Sequence, residues 1–212
     1  NMLPNVKVIN FYYVRIDNDE EEVTENVQAM NGVTLLFHES NPAMFKVFNE
    51  ISVVKVDLRF YGDTPYYNFQ PFIPFMKNQK ELKSFGMSGI YESNLMYGTI
   101  PRGDFKLTEF KICGCDLEEW HYLENFLADH VDTLERLIVE RVRSWDSSNI
   151  IKSCRNLKFL HLEETLLNDL EETIPSVVEV KVQLPMQKIN MFPNAKKLFI
   201  ENATTANNQV LS

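Results

Sequence analysis

One short apolar spacing recurs along this chain and limits its fold more than any other feature. It is clearest in Leu134-Glu-Arg-Leu137-Ile-Val139 and Leu157-Lys-Phe-Leu160-His-Leu162, which start 23 residues apart (157 − 134). Each segment has apolar residues at i, i+3 and i+5, and the alternation from i+3 to i+5 is the period of a β-strand. The residues between the two segments are numerous enough for the chain to return and begin a second strand beside the first.

The same spacing occurs nine times, although the second match is degenerate. Its starting residues are 18 to 31 positions apart and are Val6, Gly32, Ile51, Leu82, Leu107, Leu134, Leu157, Val177 and Ala195. A single match would mean little because apolar alternation is common, but nine in series indicate a repeat. The predicted strand centres are Ile9, Val54, Phe85, Phe110, Leu137, Leu160, Val180 and Leu198, with a weaker one at Leu35.

Repeats of roughly 20–29 residues with one short strand each are typical of leucine-rich repeats. The sequence therefore predicts an α/β leucine-rich repeat solenoid, with a curved parallel sheet on the concave face and irregular helices and loops on the convex side. Residues 1–202 are expected to form a single domain of about nine irregular repeats, and residues 203–212 a polar C-terminal tail. No repeat buries enough apolar surface to fold alone, so stacking must supply the stability.

Helices are predicted in several of the returns between strands. The clearest runs from Asp116 to His130, where apolar residues recur with a period near 3.6 and Asp116 is a suitable cap. A second begins near Pro42, and a third is shortened by Pro74. The last two returns are too short for a full helix.

Composition and charge exclude several classes of protein. A net charge of −9 argues against nucleic acid or an anionic membrane as the main partner. No apolar run approaches the ~18 residues that span a bilayer, and the N-terminus does not resemble a signal peptide. Three cysteines without terminal disulfide caps favour a reducing compartment, so a cytoplasmic or nuclear protein is expected. Because Asn1 is not an initiator methionine and the first strand is strongly apolar, we expect the native protein to continue upstream.

No catalytic, cofactor or metal motif is present, and we expect no enzyme activity. His161 and Glu163 share a strand face by the period of two and could form an acid/base pair, although a surface histidine beside an acid is the commoner arrangement. Cys113-Gly-Cys115 could be a metal or redox pair, but Cys115 falls where such repeats bury a residue. An enzyme that uses His161 or Cys113 therefore stays open as the weakest alternative.

The outward residues of the strands are the candidate binding site. The third, fifth and seventh residues of each repeat should line the concave face, with Lys55 in the fifth row and Asp57 in the seventh. Acids concentrate toward the C-terminal half, so the predicted ligand is a protein that carries a basic segment. The candidate partner-binding residues are Glu109, Lys111, Arg136, Ile138, Glu140, Phe159, His161, Glu163, Glu179, Lys181, Phe199 and Glu201.

Strands such as Glu81-Leu-Lys-Ser-Phe-Gly-Met and Asn156-Leu-Lys-Phe-Leu-His-Leu, each after a short helix, resemble the leucine-rich repeat region of F-box proteins. The irregular repeat lengths are most similar to divergent animal members, such as those of insects. The resemblance implies the substrate-recognition part of a cullin-type ubiquitin ligase, which would bind the ligase adaptor only if an F-box lies upstream of Asn1. The alternative is a stand-alone cytosolic repeat protein that acts as a scaffold or inhibitor.

Overall fold

The computed structural model describes residues 6–14, 31–48, 51–60, 70–89, 102–115, 120–142, 148–162, 170, 172–182 and 190–200. Within these ranges the chain forms one nine-stranded sheet, three short α-helices and a 3₁₀ helix at Pro42–Phe48. The α-helices are α1 (Phe72–Asn78), α2 (Trp120–Ala128) and α3 (Ser148–Ser153). The strands are β1 (Val8–Tyr12), β2 (Asn31–His38), β3 (Ser52–Arg59), β4 (Ser84–Ser88), β5 (Glu109–Cys113), β6 (Arg136–Glu140), β7 (Phe159–Leu162), β8 (Glu179–Val182) and β9 (Lys197–Ile200).

Every strand pairs in parallel with the next strand along the chain, in the order β1 to β9. The prediction that consecutive repeats form neighbouring strands of a parallel sheet is confirmed. Parallel pairing requires each connection to return the chain to the edge of the sheet where the strands begin. One line of paired residues crosses the whole sheet and consists of Ile9, Leu35, Val56, Phe85, Phe110, Leu137, Leu160, Val180 and Leu198.

The strand centres predicted from the repeat spacing are confirmed at every strand except β3. There the prediction of Val54 is wrong by two residues, because Val56 pairs with Leu35 and Phe85. The apolar spacing fits this segment twice, from Ile51 to Val56 and from Val53 to Leu58, and the two fits are two residues apart. Burial of Val53, Val56 and Leu58 decides between them. The degenerate match at Leu35 is confirmed as a full strand.

The two faces of the sheet differ sharply, and we call them the inner and outer faces. The inner face bears the line that runs from Ile9 to Leu198 and packs on the helices through aromatic rings. Phe45 of the 3₁₀ helix lies 4.5 Å from Phe37 and 4.7 Å from Phe75 of α1, measured between ring centroids. In the C-terminal direction, Phe126 of α2 lies 6.1 Å from Phe85. Large buried aromatic residues therefore fill the space between the sheet and its connections.

Polar side chains buried among these apolar residues hold the layers together. Gln79, which is 1% exposed, accepts a hydrogen bond from the Val53 amide and donates one to the Phe75 carbonyl. The imidazole of His130 stacks on Phe105, and its Nδ1 lies 3.5 Å from the Leu107 amide nitrogen. Burial, aided by the charge of Lys106, lowers the pKa of His130 to about 4. Both residues belong to the core.

A left-handed turn follows several strands at the same position. The residue directly after β1, β2, β4, β5 and β6 has a positive φ, between 48° and 68°, and is Tyr13, Glu39, Gly89, Gly114 and Arg141 respectively. The amides of Tyr13, Glu39, Gly89 and Gly114 each donate to a carbonyl of the next strand, which extends the ladder by one residue. Gly89 has no alternative, since a Cβ there would lie 1.6 Å from the Phe60 carbonyl oxygen.

Helix α2 ends two residues earlier than the sequence predicts. The helix expected from Asp116 to His130 is observed as Trp120–Ala128, and residues 116–119 lie outside the described ranges. Pro74 lies in the first turn of α1, where its missing N–H has no helical partner to lose. No helix in the described part of the chain is long and apolar enough to cross a membrane. The predicted polar tail also lies outside the described ranges.

Candidate functional site

The outer face of the sheet carries three parallel rows of side chains, which we number by their place in the repeat. Each row crosses the strands from β1 toward β9. Row three is Val8, Thr34, Lys55, Ser84, Glu109, Arg136, Phe159, Glu179 and Lys197. Row five is Asn10, Leu36, Asp57, Gly86, Lys111, Ile138, His161, Lys181 and Phe199. Row seven is Tyr12, His38, Arg59, Ser88, Cys113 and Glu140 in the described strands.

The corrected register of β3 changes which charges meet on this face. Lys55 belongs to row three and Asp57 to row five, whereas the repeat spacing assigned them to rows five and seven. Arg59 takes the row-seven position instead, beside Ser88. The repeat spacing therefore did not predict Arg59 as an outer-face residue. Arg59 binds Asp57, with its Nη2 2.6 Å from Asp57 Oδ2.

Row three contains a chain of opposite charges. Glu109 accepts hydrogen bonds from Ser84 Oγ at 3.0 Å and from Arg136 Nε at 3.1 Å, and Lys55 Nζ lies 3.5 Å away. The guanidinium carbon of Arg136 lies 4.0 Å from the centroid of the Phe159 ring, a cation–π distance. These side chains hold one another in place. Less side-chain conformational entropy is therefore lost when a ligand contacts them.

The remaining acid of row three is also paired. Glu179 Oε1 lies 2.6 Å from Lys197 Nζ on the neighbouring strand. Because each carboxylate is close to a cation, the negative fields of Glu109 and Glu179 are largely cancelled at a distance. The steering of a basic ligand by an added acidic field is therefore weaker than the sequence suggests, and close contacts carry more of the recognition.

Glu140 is the centre of a polar cluster on β5, β6 and β7. Its Oε1 accepts a hydrogen bond from His161 Nδ1 at 2.8 Å, and its Oε2 accepts one from the Cys113 thiol at 3.4 Å. The bond from His161, which outweighs the opposing effect of burial, lowers the pKa of Glu140 to about 2. Glu140 is therefore a carboxylate at neutral pH, and its orientation is fixed from two neighbouring strands.

His161 is buried although it points to the outer face, since its side chain is only 3% exposed. Its Nδ1 bonds Glu140, and its Nε2 has no hydrogen-bond partner. The strand period predicted His161 on this face with Glu163 as its acid, and Glu163 lies outside the described residues. The carboxylate that His161 does contact comes from the adjacent strand, which only the strand register brings close.

Cys113 has the wrong environment for a nucleophile. Burial raises the pKa of its thiol, and the opposing hydrogen bond from Arg141 Nη2, 3.2 Å from the sulfur, does not offset this. The Glu140 carboxylate lies between Cys113 and His161, so the imidazole does not activate the sulfur. Cys115 is also buried, as the repeat pattern predicts; Cys154 is buried as well, and all three cysteines are free thiols.

Two buried polar atoms of the described residues lack a hydrogen-bond partner, and both belong to row five. One is His161 Nε2, and the other is Asp57 Oδ1. The Arg59 guanidinium donates twice to Asp57 Oδ2, at 3.0 and 2.6 Å, and leaves Oδ1 without a bond. By contrast, the buried amide of Gln79 is bonded at both of its ends. The unsatisfied hydrogen-bonding capacity is thus found on the outer face.

Apolar side chains on the outer face offer anchoring contacts beside these polar groups. Ile138 and Phe159 are partly exposed in the C-terminal half, and Phe199 of β9 is 48% exposed. At the opposite edge, Tyr12 is 59% exposed and its ring stacks on His38 at 4.5 Å between centroids. Large apolar side chains of the described residues that are this exposed occur only on β1, directly after it, or on β9.

Ten of the twelve predicted partner-binding residues lie on the outer face, in the C-terminal half of the three rows. The other two, Glu163 and Glu201, lie outside the described residues. Across the ranges that the structure describes, no group of three or more His, Cys, Asp and Glu side chains is arranged to hold a metal ion.

Comparisons with known proteins found no matching family model, no matching curated protein and no matching solved structure.

Proposed function

We propose that this chain is a protein–protein interaction module of the leucine-rich repeat type, whose outer face is the concave face of a solenoid and binds a protein ligand. We further propose that it serves as the substrate-recognition part of an F-box-type ubiquitin ligase receptor. One repeat per strand, in sequence order and in one parallel sheet, is the arrangement that such a solenoid requires.

The observation that carries the proposal is the contrast between the two faces of the sheet. The inner face is closed by the aromatic core, whereas the outer face presents apolar anchors between charged side chains. Interfaces commonly combine buried aromatic or Arg anchors with a polar rim. Phe159 beneath Arg136, with Ile138 on the same strand as Arg136, is such a combination.

The proposed ligand is a protein segment with both apolar and basic side chains. Glu140 stays ionised to low pH, and Asp57 has one carboxylate oxygen without a partner, so basic groups have acceptors on this face. Because Glu109 and Glu179 are already paired, we expect the apolar contacts at Phe159 and Phe199 to supply most of the affinity.

A random peptide library displayed on phage tests this proposal directly. Selection on the wild-type protein is expected to enrich peptides whose binding weakens at least tenfold in the double variant Phe159→Ala, Phe199→Ala. The matched control is Arg155→Ala, an exposed position after α3 and outside the three rows, which should bind like the wild type. Equal binding by the double variant, or failure to enrich any peptide, would contradict the proposal.

The ligase role needs a separate test. If the parent gene encodes a segment upstream of Asn1, the ligase role predicts that the longer protein binds the adaptor subunit of a cullin ligase through that segment. Measuring adaptor binding with and without the upstream segment separates this role from that of a stand-alone scaffold or inhibitor, which would not bind the adaptor.

A further inference from the structure

The two unsatisfied atoms on the outer face define the ends of one track. Asp57 lies on β3 and His161 on β7, and Gly86, Lys111 and Ile138 occupy row five between them. Neighbouring strands are about 4.8 Å apart, so four strand steps separate the two residues by about 19 Å. The track runs across the strands, not along them.

We infer that the ligand of this face is an extended peptide segment that lies across β3 to β7 along row five and donates hydrogen bonds to Asp57 Oδ1 and His161 Nε2. This inference rests on the proposed function and specifies the chemistry of the partner. It follows from where the molecule leaves buried polar atoms unpaired, since such groups are normally satisfied by the protein, by water or by a bound partner.

The chemistry of each end selects a different ligand group. Asp57 already receives two bonds from Arg59 on one oxygen, and its other oxygen is best matched by a lysine or arginine of the ligand. Nδ1 of His161 donates to Glu140, so Nε2 is the ring nitrogen left for a ligand, and it offers a lone pair when the ring carries a single proton. A hydroxyl or amide N–H of the ligand matches that lone pair.

The middle of the track adds an apolar requirement. An extended chain advances about 3.3 Å per residue, and alternate side chains point the same way. Six residues therefore span about 20 Å, close to the separation of Asp57 and His161. A ligand residue four positions after the basic one lies about 13 Å from it along the extended chain, which places its side chain over Ile138. The inferred pattern is a basic residue, an apolar residue four positions away, and a Ser, Thr or Asn six positions away.

Both target atoms are buried, so the ligand must displace neighbouring side-chain atoms to reach them. Rotamer changes of this size are common at interfaces even where the backbone moves little. Arg59 binds Asp57 Oδ2 and Glu140 binds His161 Nδ1, so the other polar atom of each side chain keeps a defined position.

Two conservative variants test the inference without removing these supports. His161→Asn keeps a side-chain N–H able to reach Glu140 and removes the Nε2 lone pair. Asp57→Asn keeps an oxygen for Arg59 and replaces the unpaired oxygen with an N–H donor. The probes are synthetic peptides selected on the wild-type protein from the random library, with affinities measured by fluorescence anisotropy at fixed salt.

We expect each variant to weaken binding about tenfold and the selected peptides to share the spacing given above. Replacing the Ser, Thr or Asn by Ala in a peptide should weaken binding to the wild type but not to His161→Asn. Urea unfolding of both variants checks that the fold is retained. Selected peptides that lose affinity in Phe159→Ala, Phe199→Ala but bind both polar variants normally would overturn this inference and leave the proposed function standing. If no peptide is selected, the two fail together.

Discussion

Acidification should destabilise this fold through the buried His130, and the size of the effect follows from its surroundings. Its pKa is about 4 in the folded chain, whereas an unperturbed histidine has a pKa of 6.5, so the unfolded chain binds more protons between these two pH values. The stability contributed by the neutral His130 is therefore fully present above about pH 6.5 and is lost as the pH falls toward 4. The linkage relation gives a loss of about 2 kcal/mol by pH 5.

Urea unfolding at pH 7.5 and pH 5 measures this loss when the wild type is compared with His130→Phe. Phenylalanine keeps the aromatic contacts with Phe105 and Phe126 but cannot titrate. The wild type should lose about 2 kcal/mol more than the variant between the two pH values. His38→Phe is the matched control, because His38 is only partly buried and its variant should keep most of the wild-type pH dependence. Equal pH dependence of the wild type and His130→Phe would refute the reasoning.

Three further substitutions test the core, the turns and the outer-face cluster. Gln79→Leu should lower the free energy of unfolding by about 2–4 kcal/mol, because two backbone partners become unsatisfied, while the exposed Lys77→Ala should cost under about 0.5 kcal/mol in the same urea assay. Gly89→Ala should destabilise far more than Gly32→Ala: both have positive φ, but a Cβ at Gly32 meets nothing within 4 Å. Glu140→Gln should lose less stability than the wild type as the pH falls from 4.5 toward 2, because the contribution of the ionised Glu140 is already absent from the variant. Acid titrations followed by circular dichroism measure this difference.

The repeat spacing was sufficient to predict the order and register of most strands. Each match places one inward apolar pair, and a shift by a single residue would turn that pair outward, so the pattern determines the register wherever only one strand face is apolar. In the run from Ile51 to Leu58, Val54, Val56 and Leu58 are apolar at alternate positions, so a shift by two residues keeps the apolar spacing, and there the prediction failed. The bond from the Val53 amide to Gln79, a contact 26 positions apart in the chain, helps to fix the register that the spacing leaves open.

The membership of the outer face was also predictable, but its pairings were not. Periodicity of two places His161 and Glu163 on one face, yet His161 bonds Glu140 of the adjacent strand. Adjacent strands are about 4.8 Å apart, whereas residues two apart on one strand are separated by about 6.6 Å. Cross-strand partners therefore form the closer pairs, and finding them requires the register. The unpaired Asp57 oxygen likewise depends on Arg59, which the incorrect β3 register had left out of row seven.

The central claim, that the outer face binds a protein segment, is tested most directly by nuclear magnetic resonance of isoleucine methyl groups. Ile138 lies on the outer face, Ile112 points to the inner face, and Ile151 is buried in α3. When a selected peptide is added to the wild-type protein, we expect the Ile138 methyl resonance to shift strongly while those of Ile112 and Ile151 stay near their original positions. A bound peptide that shifts Ile151 and leaves Ile138 unchanged would contradict the account.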